Sequence, residues 1–374
     1  MKKLKFILTG LLISTSLFIS AQTTIVDSII SGGIFRSYRL YIPAAYNGSS
    51  PRPLVFNLHG YTSNALEQQY YSNFMPIADT ANFLVVYPQG TFIGTAPYWN
   101  AGLSNSGVND IQFISDLITV LENNYSIDVN SIYSCGFSNG GFMSNTLACT
   151  LNNKIAAIAS VSGSIFNTQY TTCSPNRVVP VMLISGTADA IVPFSGNGTT
   201  MIPMDTALRF WVMNDNCNLI PQFTNVPDFN ITDGCTAEHY VYNGGTAGST
   251  CELYKIIGGG HAWPGSSIIV GVTNQDFNAS LQIWLFFRKY KLSQFVGIEE
   301  LKQVTDINIY PNPCTNILNI ETQNISSTII MDLNGRRILE TTKKQIDVSS
   351  LAQGVYSIVF ISGNFRSVKK LVKI

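Results

Sequence analysis

One serine lies between two glycines in a pattern that is typical of a catalytic nucleophile. The segment Gly136-Phe-Ser138-Asn-Gly140 has the form G-x-S-x-G, and it lies between a predicted strand over 131–135 and a predicted helix over 140–151. In this context the serine occupies a sharp turn that exposes its hydroxyl, and the glycines avoid collisions with neighbouring backbone. We therefore predict that Ser138 is a nucleophile.

A serine hydroxyl reacts slowly unless a base accepts its proton. The chain has 3 histidines, and His261 is the preferred base because it lies in a glycine-rich loop after a predicted strand. Asp189, in a loop after another predicted strand, precedes it in the order Ser…acid…His and is the preferred acid. Such an acid holds the imidazole in one tautomer. His59 is expected to orient a loop, and His239 to have no catalytic role.

Charge that develops on a substrate oxygen is stabilised by backbone N–H groups. One donor is expected to be Asn139, the residue after the serine. The other is expected to be Tyr61, in the loop after an earlier strand. Trp99 and Trp263 are interpreted either as walls of a substrate pocket or as core residues.

The elements that must position these residues alternate between strands and helices. A continuous apolar run over 54–58 is typical of a strand buried on both faces. Apolar residues at helical spacing mark 110–121 and 280–290. This alternation predicts an α/β fold with a mostly parallel sheet covered by helices. A polar segment over 201–249 is predicted to lie near the mouth of the site.

The chain is expected to contain four parts. Lysines followed by a short apolar stretch predict a signal peptide over 1–21. A catalytic domain over 22–295 and a linker over 296–305 follow. The last part, 306–374, has short alternating segments and a hairpin signal at Asn334-Gly335, and predicts a small β-sandwich. No membrane span is expected once the signal peptide is removed.

The charge balance excludes one large class of partner. The 374 residues include 22 basic and 22 acidic side chains, and charged residues make up 12%. Binding to nucleic acid requires an excess of basic side chains to neutralise phosphates. We therefore expect no nucleic-acid partner.

Four motifs characterise the C-terminal part: Tyr310-Pro-Asn-Pro313, Asp332-Leu-Asn-Gly335, LAQGVY over 351–356 and a basic end over 369–373. Together they resemble the sorting domain of cargo proteins of the type IX secretion system. The resemblance implies recognition by the secretion machinery and a location outside the cell or at its surface. The alternative is a generic adhesive β module.

Five motifs lie at intervals along the first part of the chain: Asn57-Leu-His-Gly60, Tyr98-Trp-Asn-Ala-Gly102, Gly136-Phe-Ser-Asn-Gly-Gly141, Gly186-Thr-Ala-Asp189 and Gly258-Gly-Gly-His-Ala-Trp-Pro-Gly265. This set resembles the polyhydroxybutyrate depolymerase-type esterase family, which is related to secreted feruloyl and acetylxylan esterases. The resemblance implies the α/β-hydrolase fold, an ester substrate, and a triad of Ser138, Asp189 and His261. It also implies neither a metal ion nor an organic cofactor.

Export makes disulfides possible among the seven cysteines. Because similar esterases are cross-linked in this region, we expect a bridge between Cys149 and Cys173. A second is expected among Cys217, Cys235 and Cys251, with Cys217–Cys251 preferred.

The expected function is that of a secreted serine esterase that forms an acyl-enzyme. The expected substrates are feruloyl or acetyl esters of plant cell-wall polysaccharide. An extracellular polyester depolymerase is one alternative, and a non-catalytic polymer-binding protein with a hydrolase fold is another.

Overall fold

A computed structural model describes residues 22–101, 107–295, 307–321, 327–332, 337–362 and 365–374. The predicted signal peptide, the linker and the Asn334-Gly335 turn lie outside these residues. Contacts divide the chain into two compact units, Met1–Val296 and Gly297–Ile374. In the described residues, every helix is too short or too polar to cross a membrane.

The first unit contains a large sheet, a small hairpin and seven helices among its described residues. The strands are β1 (Thr23–Ser31), β2 (Ile34–Ile42), β3 (Arg52–Leu58), β4 (Leu84–Pro88), β5 (Thr91–Ile93), β6 (Ala96–Tyr98), β7 (Ile127–Phe137), β8 (Ala157–Val161), β9 (Val181–Gly186), β10 (Gln222–Asn225), β11 (Thr236–Tyr242) and β12 (Cys251–Ile257). The helices are α1 (Ala65–Ser72), α2 (Met75–Ala81), α3 (Asp110–Asn124), α4 (Asn139–Thr150), α5 (Asn167–Thr172), α6 (Met204–Asn214) and α7 (Ala279–Phe287).

The central strands of the large sheet are parallel. The sheet has ten strands in the order β1-β2-β4-β3-β7-β8-β9-β12-β11-β10. All neighbours from β4 through β12 pair in parallel, whereas the strands at both sides pair antiparallel. The predicted α/β-hydrolase fold is confirmed. Its consequence for function is that β3, β7, β9 and β12 all end at one edge of the sheet.

Both faces of the sheet are covered, which explains the continuous apolar runs in the sequence. Successive side chains of a strand point to opposite faces. In β3, Leu54, Phe56 and Leu58 join one core cluster with α3, α4 and α6. Val55 joins the other cluster, with α2 and α7. All residues of β4, β8 and β9 are buried.

A disulfide joins Cys149 at the end of α4 to Cys173 just after α5, with 5.4 Å between their Cα atoms. This is the first of the two expected pairs. Cys217 and Cys251 are buried free thiols in the structure rather than a bridge. Their sulfur atoms nevertheless lie within 4.8 Å of each other. The Cys217–Cys251 bridge therefore stays a prediction. Cys235, the third candidate for the second bridge, is not one of these two close sulfurs.

The second unit is built from antiparallel strands. They are β13 (Asn308–Tyr310), β14 (Ile317–Glu321), β15 (Ser327–Met331), β16 (Arg337–Thr341), β17 (Gln345–Asp347), β18 (Gly354–Ser362) and β19 (Phe365–Lys373). They form a three-stranded and a four-stranded sheet. Leu318 of the first sheet and Ile330 and Ile358 of the second share one buried core. This arrangement is the small β-sandwich that the alternating segments predict.

Candidate active site

Ser138 occupies the turn between β7 and α4 in a backbone conformation that few residues adopt. Its φ is 52° and its ψ is −117°. A non-glycine residue held at such angles costs about 1–3 kcal/mol, which the surrounding structure must offset. The turn is fixed because Ser138 N donates to the Val161 carbonyl of β8 at 2.8 Å. The strained serine on a strand–turn–helix is the geometry of a nucleophile elbow.

The glycines on either side of the turn are required by close backbone approach. A Cβ atom at Gly136 would lie 2.4 Å from the Gly140 carbonyl carbon, and one at Gly140 would lie 2.2 Å from the Leu58 carbonyl oxygen. Any side chain at these positions would push the elbow away from the end of β3. The G-x-S-x-G pattern is thus explained by packing between the turn and β3.

Asp189 and His261 meet above the ends of β9 and β12. His261 Nδ1 lies 2.7 Å from Asp189 Oδ2. The other oxygen, Asp189 Oδ1, accepts the backbone N–H groups of Ile191 and Val192, each at 2.8 Å. Asp189 is 4% exposed, so its carboxylate is held by protein donors rather than by water. The pair that the sequence predicts from position in the chain is therefore in contact.

Ser138 and His261 line the same cavity. The ring of His261 lies against that of Phe137, the residue before the serine, with 4.8 Å between the ring centroids. Ser138 Oγ has no hydrogen-bond partner among the described residues. Serine–histidine contacts in enzymes without substrate are often long and shorten when substrate binds.

The loop after β3 lies beside the serine. A Cβ atom at Gly60 would lie 3.5 Å from the Ser138 Cβ atom. His59 holds this loop: its Nε2 accepts the Gly90 N–H at 2.9 Å, so its Nδ1 carries the proton and donates to the Gly60 carbonyl at 2.8 Å. Burial lowers the pKa of His59 to about 4, so the ring is neutral. Because a trans peptide directs its C=O and N–H oppositely, the Tyr61 N–H points away from His59.

The cavity has a volume of about 730 Å³ and a mainly apolar wall. Apart from Ser138 and His261, it is lined chiefly by the loop after β3, by α1 and by residues that follow β9 and β12: Gly60, Tyr61, Thr62, Ser63, Leu66, Glu67, Gln68, Tyr70, Tyr71, Phe137, Ile191, Ile268 and Val270. The contributions of α1 and of residues 268–270 to this wall are not predicted from the sequence. One signal was available for α1, because it directly follows the predicted oxyanion loop.

The two tryptophans do not line this cavity. Trp99 and Trp263 are each 1% exposed and lie in the core. Trp99 Nε1 donates to the His59 carbonyl at 2.9 Å, and Trp263 Nε1 donates to Ser280 Oγ at 3.0 Å. The structure thus selects the core interpretation. The Trp99 indole thus supports the loop that carries His59, and the Trp263 indole joins the loop that carries His261 to α7.

The polar segment over 201–249 is also placed differently from the prediction. It forms α6 and the antiparallel strands β10 and β11 at the side of the sheet. None of its residues lines the cavity at Ser138. The segment is therefore not part of the wall around Ser138.

Comparisons with known proteins agree with these two units. Residues 308–374 match the secretion system C-terminal sorting domain, and residues 100–208 match the phospholipase/carboxylesterase family. Feruloyl esterase B of Piromyces equi is 26% identical over 234 residues, which are 59% of this chain and 41% of that protein. A bifunctional acetylxylan esterase/xylanase of Neocallimastix patriciarum is 32% identical over 173 residues, 46% of this chain and 24% of that protein.

Among solved structures, an acetyl xylan esterase from Aspergillus awamori has a TM-score of 0.47 and 15% identity, covering 64% of this chain and 94% of that one. The chain spans less than half of the length of the two curated relatives named above. The sorting domain indicates a protein that is extracellular or lies at the cell surface. The chain therefore combines an α/β-hydrolase domain, similar to the feruloyl and acetylxylan esterases, with a secretion system C-terminal sorting domain.

Proposed function

We propose that this protein is a secreted serine esterase in which Ser138, His261 and Asp189 act as one unit. The observation that carries the proposal is the 2.7 Å contact of His261 with Asp189, because His261 and the strained Ser138 line one cavity. A carboxylate on Nδ1 leaves Nε2 of a neutral imidazole free to accept the serine proton.

The reaction then proceeds in two halves. Ser138 Oγ attacks the ester carbonyl while His261 Nε2 takes its proton, and the protonated imidazole returns that proton to the departing alcohol. Water deprotonated by the same nitrogen next attacks the acyl-enzyme, and Ser138 leaves as an alcohol. Asp189 stays ionised throughout and stabilises the imidazolium that forms in each half.

The oxyanion donors are proposed to be the backbone N–H groups of Asn139 and Tyr61. Asn139 is the first residue of α4, so its N–H is among those that a helix leaves without an internal partner. Its side chain is occupied elsewhere: Asn139 Oδ1 accepts Trp99 N at 2.6 Å. The neutral His59 directs the Gly60–Tyr61 peptide as described above. Loss of one such donor typically costs about a factor of 10²–10³ in kcat.

The cavity supports an aromatic acyl group better than an acetyl group. An acetyl group would leave most of a cavity of about 730 Å³ empty, with its apolar wall still in contact with water. Tyr61, Tyr70 and Tyr71 offer ring faces and edges for stacking on a hydroxycinnamoyl ring. We therefore propose feruloyl-type esters as the preferred substrates, attached to cell-wall polysaccharide, and acetyl esters as slower ones.

A polyester depolymerase is the second candidate, and one observation favours it. Apolar side chains that line the cavity are also well exposed: Leu66 by 45%, Ile191 by 63% and Ile268 by 47%. Exposed apolar surface around a site suits a solid aliphatic polymer. We rank this candidate second because the three tyrosines in the cavity wall contribute less to binding an aliphatic chain than to binding an aromatic one.

The sorting domain is proposed to bring the protein to its secretion machinery and to take no part in catalysis. Its described residues include no histidine, and its core is aliphatic and aromatic. The exported protein thus encounters its ester substrate outside the cell.

The test is a panel of esters presented to the full chain. We expect kcat/KM for methyl ferulate to exceed that for an acetyl ester of matched leaving group by at least tenfold, with ferulate released from feruloylated arabinoxylan. Hydroxybutyrate release from a polyhydroxybutyrate film above ferulate release would place the second candidate first. No hydrolysis of any ester would contradict the esterase proposal and favour a non-catalytic binding protein.

A further inference from the structure

Two adjoining cavities lie outside the lining of the Ser138 cavity. One, of about 380 Å³, is lined by the C-terminal half of α4 and by α5; the other, of about 570 Å³, is lined by α5 and α6. They share Cys173 and Ser174, so they adjoin at these two residues. We call the two adjoining cavities the α5 groove. The disulfide from Cys149 to Cys173 ties two of its walls together.

The first part of the α5 groove contains a buried acceptor that lacks a donor. Gln169 is 9% exposed, and its Nε2 donates to Thr146 Oγ1 at 3.0 Å. Its Oε1 is buried and has no hydrogen-bond partner among the described residues. A buried acceptor without a partner costs about 1–3 kcal/mol. A ligand hydroxyl in the groove would remove this cost by donating to Gln169 Oε1.

The second part of the groove carries aromatic rings beside separate charges. Tyr170 is 38% exposed and lies edge-on to Phe210, with 5.7 Å between ring centroids. Asp205 and Arg209 are exposed on α6, and neither forms an ion pair within the described residues. Rings next to unpaired donors and acceptors suit the apolar face and the hydroxyl edge of a sugar. Because the two charges cancel, the groove favours a neutral ligand over a charged one.

The groove lies a short axial distance from the nucleophile. Thr146 follows Ser138 by eight residues along α4, which is about 12 Å at 1.5 Å per residue. Thr150 lies about 6 Å further along the same helix. A chain of a few sugar units has a length comparable to this separation.

We infer that the α5 groove binds a neutral polysaccharide chain, as a site separate from the cavity at Ser138. Gln169 accepts a sugar hydroxyl there, and Tyr170 and Phe210 contact the face of a sugar ring. The inference deepens the proposed function, because the bound chain would be the polymer that carries the ester. Binding itself does not require that Ser138 be catalytic.

The test is calorimetric titration of the full chain, carrying Ser138→Ala, with xylohexaose. Adding Tyr170→Ala or Gln169→Leu should weaken binding at least fivefold. Phe223→Ala is the matched control, because Phe223 is an aromatic residue that is 51% exposed on β10, away from the groove. The control should bind as Ser138→Ala does. Thermal unfolding of each variant identifies any that fails to fold, and Tyr170→Phe supplies a second, conservative variant that should retain most of the affinity.

A catalytic measurement separates this inference from the esterase proposal. In the chain with Ser138 intact, Tyr170→Ala should lower kcat/KM on feruloylated arabinoxylan at least fivefold and leave methyl ferulate unchanged. Absence of xylohexaose binding, or equal binding by folded groove variants and the control, would overturn the inference. Binding that is lost in the groove variants of a chain that hydrolyses no ester would support the groove and contradict only the proposed function.

Discussion

His261 Nδ1 and Asp189 Oδ2 lie 2.7 Å apart, and the second oxygen of that carboxylate is occupied by two backbone N–H groups. Both oxygens of Asp189 are thus committed, and the carboxylate has one orientation. A carboxylate in this position accepts a hydrogen bond from Nδ1–H, which leaves the lone pair on Nε2. The contact therefore determines which nitrogen of His261 can act as a base.

Replacing Asp189 by asparagine should reverse that tautomer. The Asn oxygen can still accept the N–H groups of Ile191 and Val192, so its NH₂ group would face His261 Nδ1. The proton would then reside on Nε2, and kcat should fall by about 10³–10⁴ with little change in KM. Steady-state kinetics on a nitrophenyl ester measure this. A loss below tenfold would mean that Asp189 does not orient the base.

Replacing Trp99 by phenylalanine should reduce stability without changing the choice of acyl group. The change leaves the buried His59 carbonyl without its indole donor, which costs about 1–3 kcal/mol. The ratio of kcat/KM for methyl ferulate to that for an acetyl ester should stay within twofold. Tyr70→Ala is the comparison, because Tyr70 lines the cavity, and there the ratio should fall. A changed ratio of kcat/KM values in Trp99→Phe would indicate that this tryptophan does contact the substrate.

Asp215 should make stability depend on pH. Burial raises its pKa from 3.8 to about 7. Between these values the folded protein holds a proton that the unfolded chain has released, so stability falls as pH rises from about 4 to 7 and then levels off. Asp215→Asn removes this titration but keeps the acceptor for Val179 N. Its stability relative to the parent should rise across that window by on the order of 4 kcal/mol.

Urea unfolding at several pH values measures the effect of Asp215→Asn. Asp228→Asn is the control, because Asp228 is an exposed carboxylate in the same unit. The control should follow the parent at every pH. Parallel curves for Asp215→Asn and the parent would show that Asp215 is ionised at low pH in the folded protein.

A chain that ends at Phe295 should keep its activity and lose its export. Each unit has its own buried core, and the described residues that line the cavity at Ser138 are all in the first unit. We expect kcat/KM on a soluble ester to stay within twofold and the truncated protein to be retained by the producing cell. A tenfold fall in kcat/KM would assign a part of substrate binding to residues 306–374.

The sequence predicts the parts of the site that depend on backbone geometry. The strand, tight turn and helix around Ser138 can be predicted because only glycine fits at Gly136 and Gly140. This steric requirement produces the five-residue G-x-S-x-G pattern. The order of serine, acid and histidine similarly indicates Asp189 and His261. These inferences rely on constraints that act over short stretches of chain.

The cavity wall could not be predicted because it depends on long-range packing. Trp99 and Trp263 are aromatic residues in motifs next to the site, and only the tertiary structure shows that their indoles face inward. Leu66 lies on α1 and Ile268 on the loop that follows β12, and their meeting depends on the whole fold. The polar composition of 201–249 likewise did not indicate where on the sheet the segment would lie, and its predicted place near the mouth of the site depended on the tertiary structure.

The proposed reaction requires Ser138 as the nucleophile and His261 as its base. Treatment of the secreted protein with a fluorophosphonate, followed by peptide mapping by mass spectrometry, tests both roles. We predict one adduct, on Ser138, that is absent in Ser138→Ala and forms at least a hundredfold more slowly in His261→Ala. An adduct on another residue, or labelling of His261→Ala at the parent rate, would contradict the account.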